Sequence, residues 1–245
     1  MKIRDITLLL PLLCLSAQIK ANDTASSWKV WKKSSELSVS YRPAISINKK
    51  LSTKLIEIKA TAKVNSTLSG FLYFIQQVSN TPNWLVNAST SQIIRQVSLN
   101  KNIFFIRFVG LWPLRPRLLV LQSTYWQNDD LSVEIALSDE SNISNTNLNS
   151  LLGENSQNLL RVKIHQAHWK ITALKVQNSG NKQDFQPPQL HIEYTFIADG
   201  IGDSPKWLAE HLALKSIWKS MRNIKRQLPK AKWQAHTIEG ITEIN

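Results

Sequence analysis

The sequence predicts an α+β domain in which a curved antiparallel sheet wraps around one long C-terminal helix and encloses a hydrophobic cavity. Two observations support this prediction. Strand-like segments follow one another across residues 92–137 with gaps too short for crossover helices, which indicates antiparallel hairpins. An amphipathic stretch at residues 205–228 then supplies a helix long enough to cover the apolar face of such a sheet.

The first 21 residues have the three-part pattern of a secretory signal peptide. Residues 1–4 are basic, residues 6–15 form a short apolar run, and Ala17 and Ala21 are small residues suited to cleavage. We therefore expect export, to the periplasm of a bacterium, and a soluble mature chain. Cys14 follows a leucine within the run, which disfavours lipoprotein anchoring, and cleavage removes this cysteine, the only one in the chain.

The charge of the chain is strongly positive and unevenly distributed. The formal net charge is +13, and no Asp or Glu occurs between Ile58 and Asn128. A basic surface attracts nucleic acid, anionic membrane or acidic partners. The aromatic residues lack the interleaving with basic residues that a base-stacking surface needs, so we expect no nucleic-acid partner. General solubility charge remains the alternative explanation for the lysines.

The N-terminal part of the domain, which we place at residues 22–230, begins with strands and continues into a helix. Strands are predicted at residues 28–32, 37–41 and 55–64, the last with strict alternation of apolar and polar residues. Asn65 or Ser66 is then a plausible N-cap. Apolar residues spaced by three and four predict a helix from Leu68 to Val78 that Pro82 ends.

The rest of the sheet follows after this helix. A segment rich in Ser and Asn at residues 138–158 predicts a long exposed loop without a fold of its own. The predicted strands lie at residues 92–99, 103–109, 118–125, 131–137, 160–171 and 190–198.

The final helix has two contrasting stripes and is followed by a tail at residues 231–245. Pro205 suits the first turn of the helix and Pro229 stops it, which leaves about residues 209–227 for the sheet to grip. The apolar stripe comprises Leu214, Ile217, Trp218, Met221, Ile224 and Leu228. The opposite stripe comprises Lys215, Lys219, Arg222 and Arg226, with Leu208 and Leu212 on the same side.

The basic stripe has two interpretations. Together with Trp207, Leu208 and Leu212 it could touch an anionic membrane transiently. Alternatively, Trp207 covers the core and the basic residues face water. The sequence favours the second interpretation.

The segment from Val109 to Arg117 interrupts two strand-like runs. It contains two prolines, each of which lacks a backbone N–H, so it predicts a structured turn. The turn places Trp112, Arg115 and Arg117 at the rim of an apolar sheet. This combination favours an anionic or amphipathic ligand over a catalytic centre.

These elements, in this order, resemble the START lipid-transfer domain, a helix-grip fold of the Bet v 1-like superfamily. The matching positions are Trp84 after the first helix, the Trp112–Leu114 turn with Arg117, His168 and Trp169 in a late strand, and the turn from Asp199 into the final helix. Arg117 is followed by Leu118, where the family usually has an acid. The resemblance covers about residues 28–228 and suggests a bacterial, exported member.

What the resemblance implies is a hydrophobic tunnel that holds one lipid-like molecule, with Arg117 directed into it. Arg107 shares a strand face with Ile103 and Phe105, an unusual place for a charge unless it meets a partner. The predicted ligand-binding residues are Arg107, Arg117, Trp112, Tyr125, His168, Tyr194, Trp218 and Met221.

Catalysis, a metal and a cofactor are not expected. His165 and His168 have a spacing that suits a metal on a helix, but they lie in a predicted strand. No HExxH, GxSxG or phosphate-binding glycine loop occurs. Two alternatives to lipid binding stay open: an envelope protein whose interior is filled by side chains, and a cyclase or hydrolase with the same fold.

Overall fold

The computed structural model describes residues 27–44, 55–110, 115–144, 148–152, 159–174, 187–199 and 205–244. The described strands are β1 (Lys29–Lys33), β2 (Leu37–Pro43), β3 (Ile56–Asn65), β4 (Ala88–Ser98), β5 (Lys101–Phe108), β6 (Arg117–Gln127), β7 (Val133–Asp139), β8 (Leu160–Arg161), β9 (Lys163–Leu174) and β10 (Gln189–Asp199). The described helices are α1 (Leu68–Gln76), α2 (Thr81–Trp84), α3 (Asn149–Leu152), α4 (Lys206–Gln227) and α5 (Ala231–Gln234).

The described strands form one sheet of ten strands in the order β1-β2-β3-β10-β9-β7-β6-β5-β4, with β8 beside β6. Every pair along this order is antiparallel, and only the short β8 pairs in parallel with its neighbour. The antiparallel sheet and the long C-terminal helix confirm the predicted α+β architecture.

The first helix ends earlier than the sequence predicted. Thr67 is its N-cap, and the Thr67 side chain accepts a hydrogen bond of 2.9 Å from the backbone N–H of Gly70. The helix stops at Gln76, and Pro82 lies in the first turn of α2 instead of ending α1. A proline is tolerated in a first turn because the N–H groups there lack partners within the helix.

The main core lies between the concave face of the sheet and α4. Alternate residues of β3 point inward and are buried, as predicted: Ile58, Ala60, Ala62 and Val64. The apolar stripe of α4 is buried as well, from Leu214 to Leu228. On the other side of the helix, Lys215, Lys219, Arg222 and Arg226 are exposed.

The convex face of the sheet has a second, smaller core, which corrects the expectation of an exposed loop at residues 138–158. Within the described part of that segment, Leu148 and Leu152 are buried, and they pack with Leu159. Together they cover Ile103, Phe105, Leu118 and Val120 on β5 and β6. These two strands are apolar on both faces, so the convex face also needs a cover.

The C-terminal segment after α4 packs against α1. Trp233 is buried, with its ring centroid 5.1 Å from that of Phe74. The Gln234 side-chain oxygen accepts a hydrogen bond of 3.0 Å from the backbone N–H of Thr67. A Cβ at Gly70 would lie 2.6 Å from that oxygen, so glycine permits the close approach.

The Glu243 carboxylate caps the N-terminus of α1. It accepts hydrogen bonds from the backbone N–H groups of Leu68 and Ser69, at 2.9 and 2.8 Å. These N–H groups have no partner within the helix, and a negative charge here is also favoured by the helix dipole.

We expect Glu243→Ala to lower the free energy of unfolding by about 1–2 kcal/mol, because it removes two hydrogen bonds to a charged acceptor. Urea denaturation followed by circular dichroism measures this change. Glu239→Ala is the matched control, since Glu239 is exposed in the same segment, and it should change stability by less than about 0.5 kcal/mol. Equal effects of the two variants would contradict a capping role for Glu243.

Candidate ligand-binding cavity

A cavity of about 780 Å³ lies between α4 and the concave face of the sheet. Its floor comes from β3, β5, β6, β7, β9 and β10, and its side walls come from α1, α2 and α4. The lining is mainly apolar and includes Ile58, Leu72, Trp84, Phe104, Ile106, Phe108, Leu119, Leu121, Ile135, Leu137, Ile164, Trp169, Tyr194, Phe196, Leu212 and Ile217.

Strand alternation decides which residues of β5 and β6 reach the cavity. Every second residue of each strand lines it, and the apolar residues between them, Ile103, Phe105, Leu118 and Val120, belong to the convex-face core. The lining residues of the two strands are Asn102, Phe104, Ile106, Phe108, Arg117, Leu119, Leu121, Ser123 and Tyr125.

Aromatic rings form one continuous part of the cavity wall. The Trp169 and Tyr194 rings are stacked with centroids 4.0 Å apart, and Phe196 continues the stack at 5.1 Å from Tyr194. Trp84 meets the edge of Trp169 at 6.4 Å. Burial raises the pKa of Tyr194 far above its ordinary value, so its phenol remains neutral at physiological pH. This wall therefore offers flat apolar surface without charge.

The charged residues of the described lining gather at one end of the cavity. Arg117 begins β6 and pairs with Leu160 of β8. Three residues after Leu160, Lys163 begins β9 and pairs with Asp199 at the end of β10. Lys206 and Glu210 of α4 also line the cavity, with 3.4 Å between the ammonium and carboxylate groups. Arg117 is half-buried, and this burial lowers the pKa of its guanidinium.

Helix α4 presents small and apolar side chains to the cavity. These are Ala209, Leu212, Ala213, Ser216, Ile217 and Ser220. The prediction placed Leu212 on the basic side, whereas the structure places it in the cavity wall. Helix α4 has three sides with different surroundings: the sheet, the cavity and water. A prediction with one apolar and one basic stripe does not separate the side that meets the cavity from the other two.

Three of the predicted ligand-binding residues line the cavity: Arg117, Tyr125 and Tyr194. They come from β6 and β10 and face the same enclosed space. Trp112 lies outside the described residues.

Two predicted residues lie on the other face of the sheet. Arg107 shares that face with Ile103 and Phe105, since its neighbours Ile106 and Phe108 line the cavity. His168 lies between Ala167 and Trp169, which both line the cavity, and its Nε2 is 2.9 Å from a Glu134 carboxylate oxygen. The structure therefore does not bring either side chain to this cavity.

The other two predicted residues belong to the packed core of α4. Trp218 meets the edge of Trp31 with ring centroids 6.4 Å apart, and the Lys32 ammonium lies 4.8 Å from its ring centroid. Met221 is fully buried in the same core. Both side chains fix the helix on β1 to β3 and leave the cavity wall to other residues of α4.

The structure adds polar lining residues that the sequence analysis missed. Gln76 Nε2, Trp84 Nε1 and Asn102 Oδ1 are buried and have no hydrogen-bond partner among the described residues. All three residues line the cavity. Strand alternation places Asn102 on the same face as Phe104 and Phe108, but the sequence does not show which face of β5 meets the cavity. Trp84 was a matching position of the family resemblance without being named as a lining residue, and Gln76 carried no signal.

Among the described residues, no group of His, Cys, Asp and Glu side chains could hold a metal ion. No helix in the described ranges is both long enough and apolar enough to cross a bilayer.

Comparison with known proteins finds similarity in structure alone. No protein-family model matches the chain, and no curated protein matches it in sequence. Human STARD10 superposes with a TM-score of 0.62 at 15% identity, covering 85% of this chain and 76% of that one. Human StAR-related lipid transfer protein 5 gives 0.62 at 14% identity, covering 82% and 86%.

A bacterial structure is similar to the same degree. The STAR-related lipid transfer protein from Xanthomonas axonopodis gives a TM-score of 0.61 at 14% identity, covering 83% of this chain and 99% of that fragment. These likenesses confirm the fold: the chain has the START-like helix-grip architecture that its sequence predicted. Export from a bacterium stays a prediction, and residues 1–21 lie outside the described residues.

Proposed function

We propose that the protein binds one lipid or other elongated apolar molecule in the cavity and carries it between membranes without changing it chemically. The observation that carries this proposal is the large, mainly apolar cavity between α4 and the sheet. Its volume of about 780 Å³ falls within the range of roughly 300–1,000 Å³ typical of small-molecule sites.

The cavity argues against the alternative of a core filled by side chains. Apolar walls that enclose a space without atoms lose the dispersion contacts that close packing would supply. An apolar ligand restores those contacts. The solved structures with the same fold include two named as lipid transfer proteins, which adds support for a lipid.

We propose further that Arg117 contacts the polar end of the ligand. Its side chain lines the cavity at the end where Asp199, Lys206 and Glu210 also lie. The exposed Val109 lines the cavity there too, so this end can receive a headgroup that stays near water. A guanidinium suits a carboxylate or phosphate because it donates several hydrogen bonds in a planar array.

Binding fits the lining better than catalysis does. The described lining contains no histidine, and its two carboxylates, on Asp199 and Glu210, are at the charged end, away from the aromatic wall. A general acid or base must reach the reacting bond. The cyclase or hydrolase alternative therefore has no histidine or carboxylate in place along the apolar part of the described lining.

Membrane contact at the start of α4 would bring the cavity to a bilayer. Trp207 is 70% exposed and directly follows Lys206, which lines the cavity. The exposed Lys215, Lys219 and Arg222 continue along the outer side of the helix. Anionic headgroups attract such residues while an aromatic side chain inserts at the interface. Export to a periplasm remains part of this proposal.

Native mass spectrometry of the purified protein tests the main proposal. We expect one bound lipid per chain, released unchanged into an organic extract. Ala213→Phe fills part of the cavity from α4 and should abolish the bound species, whereas Ala235→Phe places the same side chain at an exposed position and should retain it. A protein that neither carries nor takes up lipid would contradict the proposal, and conversion of a lipid ester to product would indicate an enzyme.

The role of Arg117 can be tested with palmitate and the neutral cetyl alcohol. We expect Arg117→Ala to weaken palmitate binding by about tenfold or more, through loss of a charge-assisted hydrogen bond, and to change binding of the alcohol by less than about twofold. Displacement of a fluorescent fatty acid measures both affinities.

Arg107→Ala is the matched control for this experiment, because Arg107 is on the same sheet but faces away from the cavity. It should leave both affinities unchanged. Equal losses in the two variants, or no loss in either, would show that the ligand does not contact Arg117.

Vesicle flotation tests the membrane contact. Binding should increase with the fraction of anionic lipid and decrease with salt, and reversal of Lys215, Lys219 and Arg222 to Glu should weaken it, since each basic residue contributes about 1 kcal/mol near the surface. Reversal of the exposed Lys29, Lys33 and Lys63 gives the same change in net charge and should have a much smaller effect. Equal effects would indicate attraction to the whole basic protein, with no oriented contact.

A further inference from the structure

The cavity has a second polar region, at the end away from Arg117. Asn102 lines the cavity and is only 8% exposed. Its side-chain oxygen has no hydrogen-bond partner among the described residues. A buried amide oxygen without a donor is unfavourable, and such a group in a native protein calls for an explanation.

Ser123 accompanies Asn102 in this region. The two residues are directly opposite each other on β5 and β6, and both line the cavity. Side chains in such a cross-strand pair have Cβ atoms about 4.5–5.5 Å apart. A single small group on a ligand can therefore reach both the Asn102 amide and the Ser123 hydroxyl.

The distance between the two polar regions follows from the strand. Arg117 and Ser123 lie on β6 with the same parity, six residues apart. A rise of about 3.3 Å per residue places them about 20 Å from each other. Between them, the cavity face of the β5–β6 hairpin carries Phe104, Ile106, Leu119 and Leu121.

We propose that Asn102 and Ser123 form a subsite for a hydroxyl group, so that the natural ligand is an elongated apolar molecule with a polar head at Arg117 and a hydroxyl about 20 Å away. This inference rests on the proposed function and specifies its ligand. It assigns opposite polar ends of one molecule to opposite ends of the cavity.

The chemistry of the subsite selects a hydroxyl over an anion. Asn102 Oδ1 is an acceptor, so it needs a donor and would repel a carboxylate or phosphate. The charged residues of the described lining, Arg117, Asp199, Lys206 and Glu210, are all at the other end. A hydroxyl can donate to Asn102 and also accept from the Ser123 hydroxyl, which satisfies both side chains at once.

Palmitate and ω-hydroxypalmitate are the probes that test this subsite, because they differ only at the end remote from the carboxylate. We expect the protein to bind ω-hydroxypalmitate about tenfold more tightly, since palmitate leaves Asn102 unsatisfied. Asn102→Leu, of similar size but apolar, should reduce this preference to about twofold or less. Competition against a fluorescent fatty acid gives the affinity ratio for each variant.

Two further variants provide an independent test of the subsite and a control for the cavity wall. Ser123→Ala removes one hydroxyl with little change in packing and should reduce the preference even if Asn102→Leu folds poorly. Ile106→Val alters the same cavity wall without changing its polarity, so both affinities should decrease together and their ratio should stay constant.

The outcomes separate this inference from the proposed function. Equal affinities of the two probes for the wild-type protein would overturn the subsite and leave lipid binding intact. A preference that survives in both Asn102→Leu and Ser123→Ala would also overturn it. Binding of neither probe, with no lipid found by native mass spectrometry, would overturn both proposals.

Discussion

The fold depends on how one helix is gripped by a sheet that is wider than the helix can cover. Helix α4 has 22 residues and packs its apolar stripe on β2 and β3, at one side of a ten-stranded sheet. Trp218 anchors it against Trp31, and Ser220 accepts a hydrogen bond of 3.0 Å from the backbone N–H of Val86. Among the described strands, α4 packs mainly on β2 and β3, and the concave surface of the strands farther along the sheet forms most of the floor of the cavity.

Two strands of the cavity floor are packed on their opposite face. Strands β5 and β6 present one set of residues to the cavity and the other set to Leu148, Leu152 and Leu159 on the convex face. The second contact supports the strands from behind, so the cavity wall does not have to be stabilised by filling the cavity. A hollow interior and a stable sheet are compatible for this reason.

The lining follows from the paths of the strands. Strand pairing places the start of β6 beside the end of β5. The parallel pairing of β8 with β6 and the antiparallel pairing of β9 with β10 then bring the end of β10 to the same side, which gathers Arg117 and Asp199 at one end. The pairing of β5 with β6 places Asn102 opposite Ser123 toward the other end. The stacked rings of Trp169, Tyr194 and Phe196 form a wall along which an apolar chain can lie. The proposed ligand would be held by the shape of the cavity and by polar groups at its two ends, and the described lining places no histidine or carboxylate along the middle.

The sequence by itself determined the main elements, because their residues display a period: alternation in β3 and spacings of three and four in α4. Those periods separate one face of an element from the other. They do not reveal what each face meets, since both faces of β5 are apolar and three sides of α4 have different environments. Tertiary structure alone decided that Arg107 faces away from the cavity, that Met221 belongs to the core, and that Asn102 is enclosed beside Ser123. Strand pairing between distant parts of the chain places these faces against a core, a cover or an open space.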